Sequence, residues 1–175
     1  MSDLPQLRMR HSVLQVPEAR TLPDGFQLRV ATHSDAAVVA DIINTCFEMN
    51  WTEADANKEF FDNPMVPVTF VIERDGTIVA TASYQLIPEP DPAAGWLHYV
   101  GVLPQARGYA LGEIVSHRVI AEAIARRRTS VYLTTDDPRL PAIRTYLRLG
   151  FEPDMWHDSH ADRWAAVMKS INAPI

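Results

Sequence analysis

A short loop between an apolar segment and a long amphipathic segment carries residue types suited to binding an anion through the backbone. The apolar segment 96–102 is followed by Pro104, and Gly108, Ala110 and Gly112 come next. At such a junction of strand, loop and helix, several unpaired backbone N–H groups converge on one point, with the positive end of the helix dipole behind them. Small residues let a phosphate group approach that backbone closely. The loop therefore predicts a site for a phosphate or a pyrophosphate.

Two well-known phosphate-binding motifs do not account for this loop. The chain contains neither the Gly-Lys-Ser/Thr triplet of the P-loop NTPases nor the GxGxxG fingerprint of dinucleotide-binding proteins. What the loop does contain is the pattern Gln105-x-x-Gly108-x-Ala110. Arg107 is a candidate for a charge-assisted contact to a phosphate. The alternative is that Arg107 is a solvated loop arginine.

Elements on both sides must position this loop. Residues 1–24 contain three prolines and little periodicity, which predicts an arm leading into a single domain at 25–175. In that domain, periodicity and turn residues predict elements in the order βααβββαβαβ, typical of a mixed α/β sheet. The predicted strands lie at 26–31, on either side of Asp75-Gly76 within 68–87, at 96–102, at 131–135 and around Trp164–Met168. The predicted helices follow a Ser34-Asp35 cap, span 52–61, run from about Tyr109 to Arg127, and span Arg139–Leu149 before Gly150.

Composition and charge exclude several classes of protein. The 175 residues are 47% hydrophobic and 22% charged, which is close to the globular average. Cys46 is the only cysteine, so an internal disulfide and a multi-cysteine metal site are excluded. No apolar run reaches the length of a membrane span, and the N-terminus has no apolar core typical of a secretory signal. We therefore expect a cytoplasmic protein that holds no metal and binds no membrane.

The charge distribution indicates an anionic ligand bound at one place. The chain has a net charge of −6, but residues 103–151 contain eight arginines and four acidic residues, a net charge of +4. An acidic chain without a basic, aromatic-interleaved patch is a poor candidate for nucleic-acid binding. A basic segment within it favours an anionic ligand, and the acidic remainder favours a cationic partner. The alternative is chance segregation of solvated charges.

Three motifs together resemble the GNAT superfamily of acyl-CoA-dependent N-acyltransferases. The loop pattern matches the superfamily's [Q/R]xxGx[G/A] motif, and Val102-x-Pro104 precedes it at the usual spacing. Downstream, the segment 142–151, AIRTYLRLGF, resembles the second signature A-[I/V]-x-x-Y-x-x-x-G-F. The resemblance covers about residues 26–170. It implies a central, mixed, mostly antiparallel sheet that is splayed between its fourth and fifth strands and has helices on both faces.

The resemblance implies acetyl-CoA as co-substrate and assigns residues to it. The pantetheine arm would bond to the backbone of Val100 and Val102 at the splayed edge, with Gly101 tolerating a bulge. The alternative for this edge is a simple buried strand. The pyrophosphate would lie on the loop, whose residues are Gln105, Ala106, Arg107, Gly108, Tyr109, Ala110, Leu111 and Gly112.

The resemblance also implies two catalytic residues. Tyr146 would protonate or stabilise the departing thiolate, although a tyrosine at this position of an amphipathic helix is often core. His98, on one strand face with Trp96 and Val100, would be the general base, because an imidazole titrates near neutral pH. The alternative for His98 is a hydrogen-bonded sheet histidine. Arg139 stands where many members carry an asparagine, so its role is open.

Four aromatic residues lie where the superfamily builds its acceptor pocket: Trp51, Phe60, Phe61 and Tyr84. The alternative, equally well supported by the sequence, is that they belong to the hydrophobic core.

The implied activity is acetyl-CoA-dependent N-acetylation of a primary amine, by direct transfer in a ternary complex. Direct transfer needs no acyl-carrying nucleophile, so Cys46 is expected to be core. The acceptor would be a small-molecule or peptide amine, and a homodimer is left open. Two alternatives remain, a non-catalytic acyl-CoA-binding module and an acetyltransferase acting on protein N-termini.

Overall fold

The computed structural model describes residues 4–14 and 16–172, which form a seven-stranded mixed sheet with helices on both faces. This architecture confirms the predicted fold class. The strands are β1 (Leu7–Ser12), β2 (Phe26–Val30), β3 (Val68–Arg74), β4 (Thr77–Gln85), β5 (Gly95–Val102), β6 (Ser130–Thr135) and β7 (Glu152–Asp154). The helices are α1 (Ala36–Phe47), α2 (Glu53–Ala56), α3 (Leu111–Ala125), α4 (Leu140–Arg148) and α5 (His160–Asn172).

The strands lie in the order β2-β3-β4-β5-β6-β1-β7. The β3–β4 hairpin turns at Asp75 and Gly76, whose φ angles of 50° and 80° are those of a type I′ turn, as the Asp-Gly pair predicts. The β5–β6 pair is parallel, and the other neighbouring strands pair antiparallel. This single parallel contact in the middle of the sheet is where the candidate site forms.

The sheet splays between β5 and β6. These strands pair at Gly95 with Val131 and at Trp96 with Tyr132, and they diverge after Trp96. The rest of β5 therefore keeps a free edge on this side while β4 pairs with its other edge. A wedge-shaped opening in the sheet results, as the resemblance implies.

A β-bulge in β5 sets which side chains face which layer. Thr81 of β4 pairs with Gly101 and Ser83 pairs with His98, so Tyr99 and Val100 together oppose Ala82. The bulged residue is Tyr99, which has a left-handed φ of 47°. The sequence analysis expected Gly101 to tolerate the bulge, but a Cβ on Gly101 would lie 2.8 Å from Cγ2 of Ile42. Gly101 instead allows α1 to pack closely on β5.

The bulge also corrects the prediction that Trp96, His98 and Val100 share one face. The ring of His98 lies 6.1 Å from that of Phe60, and Tyr99 packs with the hydrophobic cluster under α1. Val100 packs instead against the cluster under α3. The extra residue reverses the alternation, so His98 and Val100 face opposite sides of the sheet.

The N-terminal segment contains a strand that the sequence analysis missed. Leu7–Ser12 was predicted to belong to an arm, but this stretch forms β1 between β6 and β7. Leu7, Met9 and His11 are fully buried and alternate with more exposed residues. This period of two is the signal of a half-buried strand, and the nearby prolines concealed it.

The C-terminal segment is a helix, so the strand predicted around Trp164–Met168 is wrong. Trp164 and Val167 are buried on α5, and Ile171 packs against the same core. Their spacing of three and four residues is that of one helix face. Within the described residues, no helix combines the length and the apolar character that crossing a lipid bilayer requires.

Candidate active site

A cavity of about 560 Å³ opens between β5, the loop after it and α4, and we call it the loop cavity. The loop makes a 3-10 turn at Pro104–Ala106 and enters α3 at Leu111. Eight of the ten predicted cofactor-binding residues line the cavity: Val100, Val102, Ala106, Arg107, Gly108, Ala110, Leu111 and Gly112. The predicted segment therefore lines a cavity, and the assignment of these residues to a cofactor stays a prediction.

The loop cavity is rich in unpaired backbone donors. Within the described part of the chain, the backbone N–H groups of residues 108–112 have no hydrogen-bond acceptor, whereas Glu113 and Ile114 donate to the Ala110 carbonyl. Gly108 and Ala110 have left-handed φ angles of 91° and 57°. Left-handed residues in such a turn can direct successive N–H groups toward one side and form an anion-binding concavity, which we call the nest. A Cβ on Gly108 would meet nothing within 4 Å, so space for a ligand lies open beside this backbone.

Positive charge surrounds this nest. Arg107, Arg139 and Arg148 line the cavity together with Glu113. The Glu113 side chain is 13% exposed and accepts hydrogen bonds from Arg20 and Arg148 at 2.5 and 3.1 Å. Burial would raise the pKa of Glu113, but these hydrogen bonds outweigh burial and lower it. The carboxylate is therefore neutralised by its arginines, and the cavity keeps a positive balance.

Two predicted residues, Gln105 and Tyr109, turn their side chains elsewhere. Gln105 is exposed to solvent. The Tyr109 ring lies 5.0 Å from that of Phe26 and 5.4 Å from the guanidinium of Arg74. Any contact that these two residues make to a ligand in the loop cavity would come from their backbone.

A second cavity of about 360 Å³, the throat cavity, fills the opening between β5 and β6. Val100, Arg139 and Tyr146 line both cavities and so mark their junction. The remaining walls come from widely separated parts of the chain: Gln6, Phe47, Met49, Leu97, His98, Tyr99, Leu133, Thr134, Thr135 and Asp136.

Tyr146 is a buried phenol at this junction. It lies on α4, is 8% exposed, and packs edge-on against Phe151 at 6.0 Å. Burial raises the pKa of Tyr146 to about 12, although the positive charge of Arg139 acts in the opposite direction. The phenol therefore stays protonated at neutral pH and can donate a hydrogen bond.

His98 reaches the throat cavity from β5 and is held by a residue that the sequence analysis did not identify. His98 Nε2 lies 2.8 Å from Oε1 of Glu59, in the π-helical turn Asn57–Phe61 that extends α2. Tyr99 lies beside this pair at a ring distance of 4.4 Å from His98. Burial raises the pKa of Tyr99, and the charge of Glu59 acts in the same direction.

Arg139 connects the walls of the two cavities. Its Nη2 donates to the Cys46 carbonyl at 3.2 Å, and its guanidinium lies 4.2 Å from the centre of the Phe47 ring. Its Nε lies 3.5 Å from Oδ2 of Asp136. These contacts fix a positive charge close to Tyr146. Cys46 itself is half-buried in the loop cavity, and burial raises the pKa of its thiol.

The four aromatic candidates lie in the hydrophobic core or pack against it, and none is among the described residues that line the throat cavity. Phe61 is half-buried, with its ring 5.4 Å from that of His33. Tyr84 is fully buried and its hydroxyl accepts a hydrogen bond from Arg128 at 3.0 Å, so it is core. Phe60 is also buried, whereas the Trp51 ring lies 5.2 Å from that of Tyr99 near the throat.

Among the described residues, no group of three or more His, Cys, Asp or Glu side chains is arranged to hold a metal ion. The expectation that the chain works without metal stays a prediction.

Curated relatives of this chain are mycothiol acetyltransferases. The one from Mycobacterium marinum is 28% identical over 169 residues, which cover 83% of this chain and 52% of that protein. The one from Nocardia farcinica is 26% identical over 161 residues, which cover 86% of this chain and 53% of that protein. The chain thus spans about half the length of the curated relatives it matches.

Solved structures share the fold. A GCN5-related N-acetyltransferase from Kribbella flavida is 25% identical, with a TM-score of 0.60 over 85% of this chain and 54% of that chain. One from Sphaerobacter thermophilus is 22% identical, with a TM-score of 0.69 over 86% and 50%. A putative acetyltransferase from Salmonella typhimurium, solved with its cofactor acetyl-CoA, is 18% identical, with a TM-score of 0.65 over 74% and 80%.

The family model for the acetyltransferase (GNAT) family matches residues 36–151. That range covers more than half of the chain and includes the loop, the splayed strands and Tyr146. It also contains the two cavities, except for Gln6. This chain belongs to the acetyltransferase (GNAT) family.

Proposed function

We propose that this chain is an acetyl-CoA-dependent N-acetyltransferase that moves an acetyl group to a primary amine by direct transfer. The observation that carries the proposal is the junction of an anion-binding cavity with a second cavity at Tyr146. A cofactor held on one side and an amine held on the other would meet at this buried phenol. Holding both reactants together would supply much of the acceleration.

The loop cavity fits the groups that a CoA ester presents. The unpaired N–H groups of residues 108–112 match the oxygens of a pyrophosphate, and the open space beside Gly108 leaves room for it. Arg107 adds positive charge. The free edge of β5 at Val100 and Val102 can accept the amides of a pantetheine arm as an added strand. When bound, the cofactor supplies a thioester whose acyl carbon an amine can attack.

Three groups of the chain would then serve the transfer. His98 would take a proton from the amine, since an ammonium ion has no lone pair with which to attack. A backbone N–H on β5 would polarise the acyl carbonyl. Tyr146 would donate to the sulfur as the new C–N bond forms and the C–S bond breaks. The buried phenol of Tyr146 is neutral at pH 7, with a pKa of about 12, so it has a hydrogen to donate to the sulfur.

The acceptor that we propose is a small amine. The throat cavity has a volume of about 360 Å³, which suits a small molecule or the terminal residue of a peptide. The alternative of a non-catalytic acyl-CoA-binding module gives no reason for a buried phenol at the meeting point of two cavities.

A panel of primary amines tests the proposal. Each amine is incubated with the protein and acetyl-CoA, and a thiol reagent measures the CoA released, with an amine-free reaction as the control for hydrolysis. We expect at least one amine to raise CoA release well above that control, with formation of the acetylated amine detected by mass spectrometry. Acetyl-CoA binding without transfer to any amine would favour the binding module instead.

A further inference from the structure

We propose that Glu59 is a positioning residue that holds His98 in the tautomer with hydrogen on Nε2, leaving Nδ1 as the proton acceptor. The catalytic consequence rests on the proposed function, whereas the tautomer itself does not. Glu59 lies 39 residues before His98 in the chain, and no sequence motif connects the two.

The geometry of the pair determines the tautomer. His98 Nε2 and Glu59 Oε1 lie 2.8 Å apart, and the two side chains are only 21% and 32% exposed. An ionised carboxylate can only accept hydrogen bonds, so the hydrogen between these atoms must be carried by Nε2. The lone pair of the neutral ring is then on Nδ1. A proton taken from a substrate on Nδ1 would give an imidazolium that the carboxylate stabilises.

Two departures from regular structure bring the pair together. Asn57–Phe61 makes a π-helical turn, and such turns often occur at functional sites. Phe60 in this turn is 2% exposed, so it anchors the turn in the core beside the His98 ring. On the other side, the bulge at Tyr99 directs His98 toward α2 and away from α3.

The other charged and titratable groups around the throat cavity do not replace Glu59. Asp136 accepts a hydrogen bond from Gln6 at 2.9 Å and lies near Arg139, so its carboxylate is already engaged. Tyr99 and Tyr146 have raised pKa values because they are buried, with the charge of Glu59 also raising that of Tyr99, so both stay neutral. Among the described residues, Glu59 is the carboxylate within hydrogen-bond distance of His98.

The first test needs no substrate. Nitrogen–proton correlation spectra of the imidazole rings are recorded at a pH where the rings are neutral, and the His98 signals are assigned by their loss in His98→Ala. We expect a protonated Nε2 in the parent and a mixture of tautomers in Glu59→Ala. Exposed Glu53, on the first turn of α2, offers a matched control, and Glu53→Ala should keep the parental pattern. A parental ring protonated on Nδ1 would overturn the proposal.

The second test measures the catalytic consequence with an accepted amine. Glu59→Ala should lower kcat by about tenfold or more without changing acetyl-CoA affinity, because it removes the acceptor that holds the Nε2 hydrogen and a general base contributes that much or more. In the His98→Ala background the same change should have no further effect, since Glu59 acts through His98. Equal losses in both backgrounds would contradict a positioning role. If the parent acetylates no amine, the proposed function fails, and the spectra still decide the tautomer.

Discussion

The two cavities that meet at Tyr146 are built in different ways. The loop cavity takes most of its wall from one run of the chain, residues 100–113, and its donors are backbone N–H groups. The throat cavity takes its wall from segments as distant as Gln6 and Tyr146, and its functional groups are side chains. A site made of contiguous backbone can be recognised from sequence spacing, whereas a site made of distant side chains depends on the tertiary fold.

This difference predicts different sensitivities. The throat cavity should be sensitive to removal of a functional group, with a large effect on turnover and a small one on cofactor affinity. The loop cavity should be sensitive to added atoms, with the effect concentrated in affinity. Variants that reverse this pattern would show that the two cavities do not divide cofactor binding and turnover in this way.

The largest effect is expected for Tyr146→Phe. Removal of the hydroxyl takes away the donor to the departing thiolate, so kcat should fall by about a hundredfold while acetyl-CoA affinity stays close to that of the parent. The ring remains, so the edge-on contact with Phe151 and the fold should survive. Steady-state kinetics and calorimetric titration measure the two quantities.

Tyr84→Phe is the matched control for that variant. Tyr84 is also buried, but its hydroxyl binds Arg128 outside both cavities. This change should lower thermal stability and leave kcat within about twofold of the parent. If Tyr146→Phe turns over as fast as Tyr84→Phe, Tyr146 is a core residue and the binding module becomes the better account.

A smaller effect, on binding, is expected for Gly108→Val. A branched side chain would occupy the open space beside the unpaired N–H groups, so acetyl-CoA affinity should fall by about tenfold or more. Valine at a φ of 91° is also strained, which affects stability. Calorimetric titration at a temperature where the variant is folded measures the affinity.

Gly76→Val separates backbone strain from obstruction of the ligand. Gly76 has a φ of 80°, and a Cβ there would likewise meet nothing within 4 Å, but it lies in the β3–β4 hairpin turn. The two variants should lose similar stability, and only Gly108→Val should lose affinity. Equal affinities in the two folded variants would mean that the loop does not hold the cofactor.

The smallest effect concerns stability at acid pH and involves His11 on β1. This ring is fully buried, and neither of its nitrogens has a hydrogen-bond partner among the described residues. Burial lowers the pKa of His11 below its ordinary value of 6.5; the nearby backbone of Leu149 acts in the opposite direction but is outweighed, and the charge of His117 acts in the same direction as burial. The unfolded chain therefore binds the proton more tightly, and stability should fall as the pH drops below about 6.5.

His11→Leu tests this contribution and helps to interpret any loss of activity in acid. The slope attributable to one histidine is at most about 1.4 kcal/mol per pH unit, and the variant should lack it. Denaturant unfolding of parent and variant between pH 7 and pH 5 measures the difference. If the stability of parent and variant changes equally with pH, His11 does not take up a proton on unfolding. A loss of activity at acid pH would then be assigned to the throat cavity.

Much of the fold and of the loop cavity follows from local patterns. The Asp75-Gly76 turn, the strand before Pro104 and the helix before Gly150 each combine periodicity with a residue that ends the element. The strand β1 was missed, and the helix α5 was predicted as a strand, because their periodicity in the sequence is weak. Three buried residues alternate in β1 between prolines, and α5 presents a narrow apolar face that resembles a short strand.

The throat cavity was only partly predictable. His98 and Tyr146 were identified through the family resemblance, but Glu59 was not, because its contact with His98 depends on a π-helical turn and on a bulge. The bulge occurs at a tyrosine in a left-handed conformation, which propensity disfavours. Such irregularities are decided by tertiary packing, so no spacing in the sequence reports them.

Calorimetric titration of the parent with acetyl-CoA in the presence of a metal chelator decides whether the loop cavity holds an acyl-CoA. We expect binding at one site per chain that the chelator does not weaken, because backbone N–H groups and arginines hold the ligand. Binding should also weaken in Gly108→Val and persist in Gly76→Val. A folded parent that gives no heat with acetyl-CoA or any other acyl-CoA would contradict the account.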